Sequence, residues 1–86
     1  MVQQEITITN PTGFHARPAA LLVARAGKSK SSVTIFHNDK KANAKSILNI
    51  LGAGIRQGAT ITLLVEGEDE AETLADLVRL IEQLPE

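Results

Sequence analysis

The apolar residues of this chain repeat with two different periods, and the order in which these periods follow one another limits the fold. Ile61, Leu63 and Val65 occupy alternate positions, which is typical of a strand with one buried face. Leu77 and Ile81 lie four residues apart in a stripe that predicts an amphipathic helix. The full stripe is Ala71, Leu74, Leu77, Val78, Ile81 and Leu84.

The two patterns recur in the order strand, helix, strand, strand, helix, strand, helix. Predicted strands occupy residues 5–9, 33–36, 41–44 and 60–66, and predicted helices occupy 16–27 and 45–54 and a final stretch beginning at Asp69. Glu72, three residues after Asp69, predicts a carboxylate capping box, and we expect this acidic helix to be structural.

This order of elements favours an α+β sandwich in which helices cover one face of a four-stranded sheet. We expect residues 1–86 to form a single domain, because a chain of this length can build only one core. The pattern leaves the strand order open, since a ferredoxin-like fold has nearly the same order of elements.

Composition excludes several classes of protein. The chain has no cysteine, so it can form neither a disulfide nor a thiolate metal site. It lacks a basic segment followed by an apolar one at the N-terminus, and it has no apolar run long enough to cross a membrane. We therefore expect a cytoplasmic protein that does not enter the membrane.

Charge is distributed unevenly along the chain. All nine basic residues except Arg79 lie at or before Arg56, and all ten acidic residues except Glu5 and Asp39 lie at or after Glu66. A basic first part suits docking onto acidic protein surfaces. We expect no nucleic-acid binding, because the two phenylalanines are the only side chains that could stack on bases and no recognition motif is present.

The segment around His15 combines a loop end with a helix start. Turn-forming residues fill positions 10–13, an apolar run follows, and Pro18 suits a first helical turn, so His15 is predicted at a helix N-terminus. The positive end of the helix dipole favours a neutral imidazole, which is a competent nucleophile. The Ala16 backbone N–H and the Arg17 guanidinium could then stabilise a transferred phosphoryl group. The alternative is a histidine that merely ends a loop, beside a solvated arginine.

A short helix follows near the middle of the chain. Ser46 is a good N-cap, and an N-cap serine requires no function, while Gly54 is a suitable stop. The helix has more apolar residues than one face can bury: Ile50 is expected to point inward with Ile47 or Leu51, and Leu48 outward.

Two other side chains leave alternatives open. Leu21 on the first helix is either ordinary exposed surface or part of a docking patch beside His15. His37 has no cysteine or clustered carboxylate at ligand spacing, so we expect a solvated histidine at a strand end and no metal site.

Residues 13–19, with the sequence GFHARPA, resemble the active-site signature of the HPr family. Its members are the histidine-containing phosphocarriers of the bacterial phosphoenolpyruvate-dependent sugar phosphotransferase system. Residues 43–47, NAKSI, resemble the regulatory serine site of part of that family, and the resemblance covers essentially the whole chain. Phe14, Asp39, Asn49 and the pair Gly52 and Ala53 depart from the residues usual at their positions.

The resemblance implies an open-faced β-sandwich with antiparallel strands in the order 1-4-2-3 and three helices on one face. It implies a monomeric carrier, not itself an enzyme and without a cofactor, that accepts a phosphoryl group on the Nδ1 of His15 from enzyme I. The group then passes to the enzyme IIA domains of sugar-specific components.

The resemblance also implies a regulatory role as the alternative function. An HPr kinase/phosphorylase would phosphorylate Ser46, and the product would act as corepressor of a catabolite-control transcription factor. The partner-docking residues that it implies are Leu21, Ile47, Leu48 and Leu51.

Overall fold

Four strands and three helices follow one another in the predicted order. The structure is a computed structural model that describes residues 1–84. The strands are β1 (Val2–Thr7), β2 (Ser32–His37), β3 (Lys40–Asn43) and β4 (Thr60–Glu66). The helices are α1 (Ala16–Ala26), α2 (Ile47–Gly52) and α3 (Glu70–Glu82). Within residues 1–84, none of these helices has the length and apolar character needed to span a bilayer.

The four strands form one antiparallel sheet in the order β1-β4-β2-β3. Ile6 pairs with Ile61 and Val33 with Val65, so inward-facing residues of neighbouring strands fall in the same rows. Because side chains alternate between the faces of a strand, this register directs the apolar set of every strand to one side. The open-faced 1-4-2-3 arrangement is therefore confirmed.

The core lies between this inward face and the three helices. Leu63 of β4, Leu22 of α1 and Leu77 of α3 are fully buried there, and Ile50 brings α2 into the same cluster. Burying side chains of this size stabilises the fold by roughly 1.5–3 kcal/mol each. The core thereby fixes the position of α1, whose first turn follows His15.

Strand ends differ from the predicted ones by a few residues. β1 begins at Val2, because Gln3 and Gln4 pair with β4 although their polar side chains obscure the pattern. Ile8 lies beyond the strand, yet it is fully buried and its N–H donates to the Ala59 carbonyl at 2.8 Å. Between β2 and β3 it is Asn38 that adopts the left-handed conformation, with φ of 56°, which asparagine tolerates.

The predicted capping box of α3 is wrong. Asp69 occupies the N-cap position, but its carboxylate accepts no capping hydrogen bond. It accepts hydrogen bonds instead from the Ser31 hydroxyl, the Lys30 backbone N–H and the Ser29 hydroxyl, which lower the pKa of Asp69 well below its usual range. Asp69 thus joins α3 to the segment that follows α1.

The buried face of α3 also differs from the predicted apolar stripe at one turn. Ala71 is exposed, whereas Thr73 is buried and its hydroxyl lies 2.7 Å from the Ser29 hydroxyl. A buried hydroxyl with a partner avoids the cost of desolvation, so threonine can occupy a position inside the helix packing.

Candidate functional site

The loop before α1 is held tightly against the segment after α2. The Asn10 side-chain amide donates to the Gly13 carbonyl at 2.7 Å, and the Gly13 N–H donates to the Asn10 carbonyl at 3.1 Å. The Phe14 N–H donates to the Ile55 carbonyl at 3.0 Å. Gly13 has φ of +62°, and a Cβ there would lie 2.5 Å from the Ile55 carbonyl oxygen. Only glycine fits this close approach.

Phe14 anchors the loop from inside. Its side chain is only 3% exposed and belongs to the core cluster. A ring buried in this way cannot stack on a base, so the structure removes one of the two side chains that a nucleic-acid site would need. It also fixes the backbone from which the next residue, His15, projects.

His15 is the N-cap of α1 and is exposed. Its backbone is extended, with φ of −87° and ψ of −170°, and its carbonyl accepts the first helical hydrogen bond, from the Ala19 N–H at 2.8 Å. The His15 side chain makes no capping bond. The Ala16 N–H lies in the first turn, where the helix itself provides no acceptor. An exposed imidazole therefore stands where backbone donors and the positive end of the helix dipole converge.

His15 lines an open cleft of about 450 Å³. The other residues that line it are Pro11, Thr12, Phe14, Leu51, Gly54, Ile55, Arg56 and Gln57. Among the described residues of this lining, Arg56 is the only arginine, lysine, aspartate or glutamate, and Arg17 is not part of it. Arg17 lies in the first turn of α1 and is exposed.

Arg56 is the residue of this cleft that the sequence did not single out. It lies in a turn, where an arginine resembles any other solvated charge. No local pattern could have placed it beside His15, because the two residues meet through the contact between the 10–14 loop and the segment after α2.

Ser46 is the N-cap of α2, as predicted. Its hydroxyl oxygen accepts from the Asn49 backbone N–H at 3.3 Å and from the Asn49 side-chain amide at 3.1 Å. The Asn49 side-chain carbonyl accepts in turn from the Asn43 N–H at 3.3 Å. The serine is half-buried, and Asn49 ties it to the end of β3.

The predicted docking residues differ in how much surface they offer. Leu48 is 78% exposed, Leu21 44% and Leu51 41%, whereas Ile47 is half-buried against the core. Ile50 is fully buried, so the inward and outward predictions for Ile50 and Leu48 are confirmed. Leu51 also lines the His15 cleft, which makes the cleft continuous with the exposed side of α2.

His37 is not the solvated histidine that the sequence predicted. The residue is half-buried, and its Nδ1 is buried without a hydrogen-bond partner among residues 1–84. Among residues 1–84, no three or more histidine, cysteine, aspartate or glutamate side chains come together in a way that could hold a metal ion.

Known proteins share both the sequence and the fold. The family model described as the PTS HPr component phosphorylation site matches residues 2–83. The phosphocarrier protein HPr of Lysinibacillus sphaericus is 42% identical over 84 residues, which are 98% of this chain and 96% of that protein. The HPr-like protein Crh of Halalkalibacterium halodurans is 42% identical over 83 residues, which are 96% of this chain and 99% of that protein.

A solved structure extends the agreement to the backbone. The crystal structure of HPr-C-His from Thermoanaerobacter tengcongensis matches with a TM-score of 0.93 and 48% identity, covering 95% of this chain and 92% of that one. The chain therefore belongs to the HPr family, the phosphocarriers of the phosphotransferase system.

Proposed function

We propose that His15 accepts a phosphoryl group from phosphorylated enzyme I and passes it to the IIA domains of sugar-specific enzyme II components. The observation that carries this proposal is the exposed imidazole at the N-cap of α1, open to a cleft on one side. A carrier needs a nucleophile that two different proteins can reach, and an exposed side chain meets that requirement.

The accepting step transfers only the phosphoryl group. A lone pair on the Nδ1 of His15 forms a bond to phosphorus while the bond from phosphorus to the donor histidine of enzyme I breaks. The donor ring leaves with that electron pair, and the proton of His15 stays on its other ring nitrogen. The Ala16 N–H and the Arg17 guanidinium would stabilise the phosphoryl oxygens.

The second step, transfer of the phosphoryl group from His15 to a IIA domain, requires an open site. A carrier that bound the phosphoryl group strongly would resist giving it up, so the site should stabilise the transfer state more than the phosphorylated state. In this proposal the chain is a substrate of other proteins' reactions and needs no cofactor of its own. Residues 1–86 act as one monomeric domain in the cytoplasm, where these partners work.

Docking would use the surface beside His15. Leu48, Leu51 and Leu21 offer exposed apolar area, Ile47 supports them from α2, and the basic first part of the chain attracts an acidic partner. Such a surface gives enzyme I and the IIA domains a common binding face.

The test is charging by enzyme I and phosphoenolpyruvate, followed by mass measurement. The wild-type chain should gain one acid-labile phosphate, and His15→Ala should gain none. His37→Ala removes the other histidine and should charge normally. An acid-stable phosphate, or a phosphate retained by His15→Ala, would contradict the proposal.

A second function is proposed for Ser46. An HPr kinase/phosphorylase would phosphorylate this serine, and the product would act as corepressor of a catabolite-control transcription factor. Two observations favour it: the chain is similar to the HPr-like protein Crh, and Ser46 lies beside the exposed Leu48. A phosphate there would place roughly two negative charges next to the apolar docking residues.

A further inference from the structure

We propose that Arg56 is a second cation of the His15 site and binds the oxygens of the phosphoryl group carried there. The inference deepens the phosphocarrier function proposed above and rests on it. It assigns a ligand contact to a residue that the HPr-like sequence motifs do not include.

The backbone of Arg56 is fixed next to the loop that carries His15. A Cβ on Gly13 would lie 2.6 Å from the Arg56 Cα, so these two backbones are in direct contact. The neighbouring Ile55 carbonyl accepts the Phe14 N–H at 3.0 Å. Arg56 therefore starts from a defined position close to His15, and its side chain has only to cross the cleft.

The turn that follows Arg56 is also held. The Ala59 N–H donates to the Arg56 carbonyl at 3.0 Å, and the Gly58 N–H donates to the Ile8 carbonyl at 2.7 Å. The Gln57 side-chain amide donates to the Thr9 carbonyl at 3.0 Å. These bonds secure the segment against the residues that follow β1, so Arg56 projects from a well-held support.

Among the described residues, the Arg56 guanidinium has no competing partner. It lines the cleft with His15, is exposed, and makes no hydrogen bond or ion pair with another residue of the 1–84 range. Among the described residues 1–84, no carboxylate lines the cleft. A phosphoryl group on His15 would meet no anion from residues 1–84 in the cleft, and the guanidinium fork matches phosphate oxygens in geometry and charge.

Two arginines would then approach the phosphoryl group from different sides. Arg17 belongs to the first turn of α1, outside the cleft lining, whereas Arg56 lies within the lining. An alternative role for Arg56 is contact with an acidic side chain of a partner protein. The experiment has to separate these two roles.

The variant is Arg56→Gln, with Arg79→Gln as the matched control. Arg79 is an exposed arginine near the end of α3, so both variants lose the same charge. Each protein is charged with enzyme I and phosphoenolpyruvate, and the ³¹P resonance of the phosphohistidine is followed against pH. The midpoint of this titration reports uptake of a proton by the phosphohistidine, and a nearby cation disfavours the protonated form, so removal of that cation raises the midpoint.

We expect the Arg56→Gln midpoint to rise by about 0.3–0.7 pH units, a roughly two- to fivefold change typical of a solvent-screened charged contact. Arg56→Lys should lie between Arg56→Gln and the wild type, and Arg79→Gln should match the wild type. An Arg56→Gln midpoint equal to that of Arg79→Gln overturns the inference. Slower charging without a midpoint shift also overturns it, because Arg56 would then contact the partner.

Failure of the proposed function would look different. A wild-type chain that gains no phosphate on His15 contradicts both proposals. A wild-type chain that charges normally, with Arg56→Gln indistinguishable from Arg79→Gln, contradicts only the assignment of Arg56.

Discussion

At the scale of single residues, the site depends on the glycine before it as much as on His15. Gly13 and Gly54 have nearly the same left-handed backbone, with φ of +62° and +65°. They differ in the space around them: a Cβ on Gly13 would meet the backbone of the segment after α2, whereas a Cβ on Gly54 would meet nothing within 4 Å. Alanine variants at these two glycines therefore separate the cost of the left-handed backbone from the cost of the close contact.

Gly13→Ala should destabilise the protein more than Gly54→Ala. The conformational cost of a left-handed alanine is roughly 1–2 kcal/mol and applies to both variants. Gly13→Ala must also displace the Ile55 carbonyl, which should add about 1–3 kcal/mol. Urea unfolding measures both free energies. Equal losses would show that the 10–14 loop is not held against the segment after α2 as described.

Local sequence signals predicted the position of His15 but not that of Arg56. The turn formers before His15 and Pro18 after it are local signals, and they predicted the N-cap position that the structure confirms. Arg56 gives no such signal, because its neighbours in the cleft are distant in sequence.

At the scale of elements, α2 depends on its cap. It has only six residues, and the Ser46 hydroxyl supplies the side-chain acceptor at its start. Short helices gain little from propensity alone, so the cap and the burial of Ile50 account for much of its order. A charge placed at Ser46 would act on the exposed side of this helix without removing the cap.

Ser46→Asp should slow charging by enzyme I while leaving stability nearly unchanged. Aspartate can accept the capping bond from Asn49 and suits the helix dipole, but it repels an acidic partner. Ser46→Ala is the matched control: it should charge normally and lose about 1 kcal/mol of stability with the cap. Charging rates and thermal unfolding measure both effects. If Ser46→Asp charged as fast as the wild type, the regulatory proposal would lose its mechanism.

At the start of α3, the capping contact that was predicted from the sequence is not formed. The local spacing of Asp69 and Glu72 predicted a capping box, but the carboxylate of Asp69 is engaged by serines that follow α1. These partners are about 40 positions away, so no window on the sequence could have found them. The carboxylate of Asp69 therefore makes long-range hydrogen bonds instead of the predicted local cap.

The Asp69 contacts predict a pH dependence. Because the pKa of Asp69 is lower in the folded protein than the ordinary value of 3.8, its contribution to stability is complete well above that value. The contribution is lost as pH falls below it, when the unfolded chain takes up the proton first. Asp69→Asn should therefore flatten the fall in unfolding free energy below about pH 4. The control is Glu68→Gln on the same acidic run, and an equal slope in Asp69→Asn and wild type would contradict the assignment.

At the scale of the whole molecule, the order of elements came from the sequence, and the order of strands came from the family resemblance. Apolar periodicity identifies each strand and helix by itself, but it does not state which strands pair. The pairing of β1 with β4 joins two segments that are far apart in the sequence, and it is a property of the assembled core. The same assembly brings the 10–14 loop to the segment after α2 and so creates the cleft beside His15.

As a carrier, the whole molecule must release the phosphate that enters at His15 to a second protein. The decisive measurement isolates the phosphorylated chain, mixes it with a IIA domain, and follows a radiolabelled phosphate over time. The account predicts that the label moves to the IIA domain while the chain returns to its unphosphorylated mass. A label that stays on the chain, or appears only as inorganic phosphate, would contradict it.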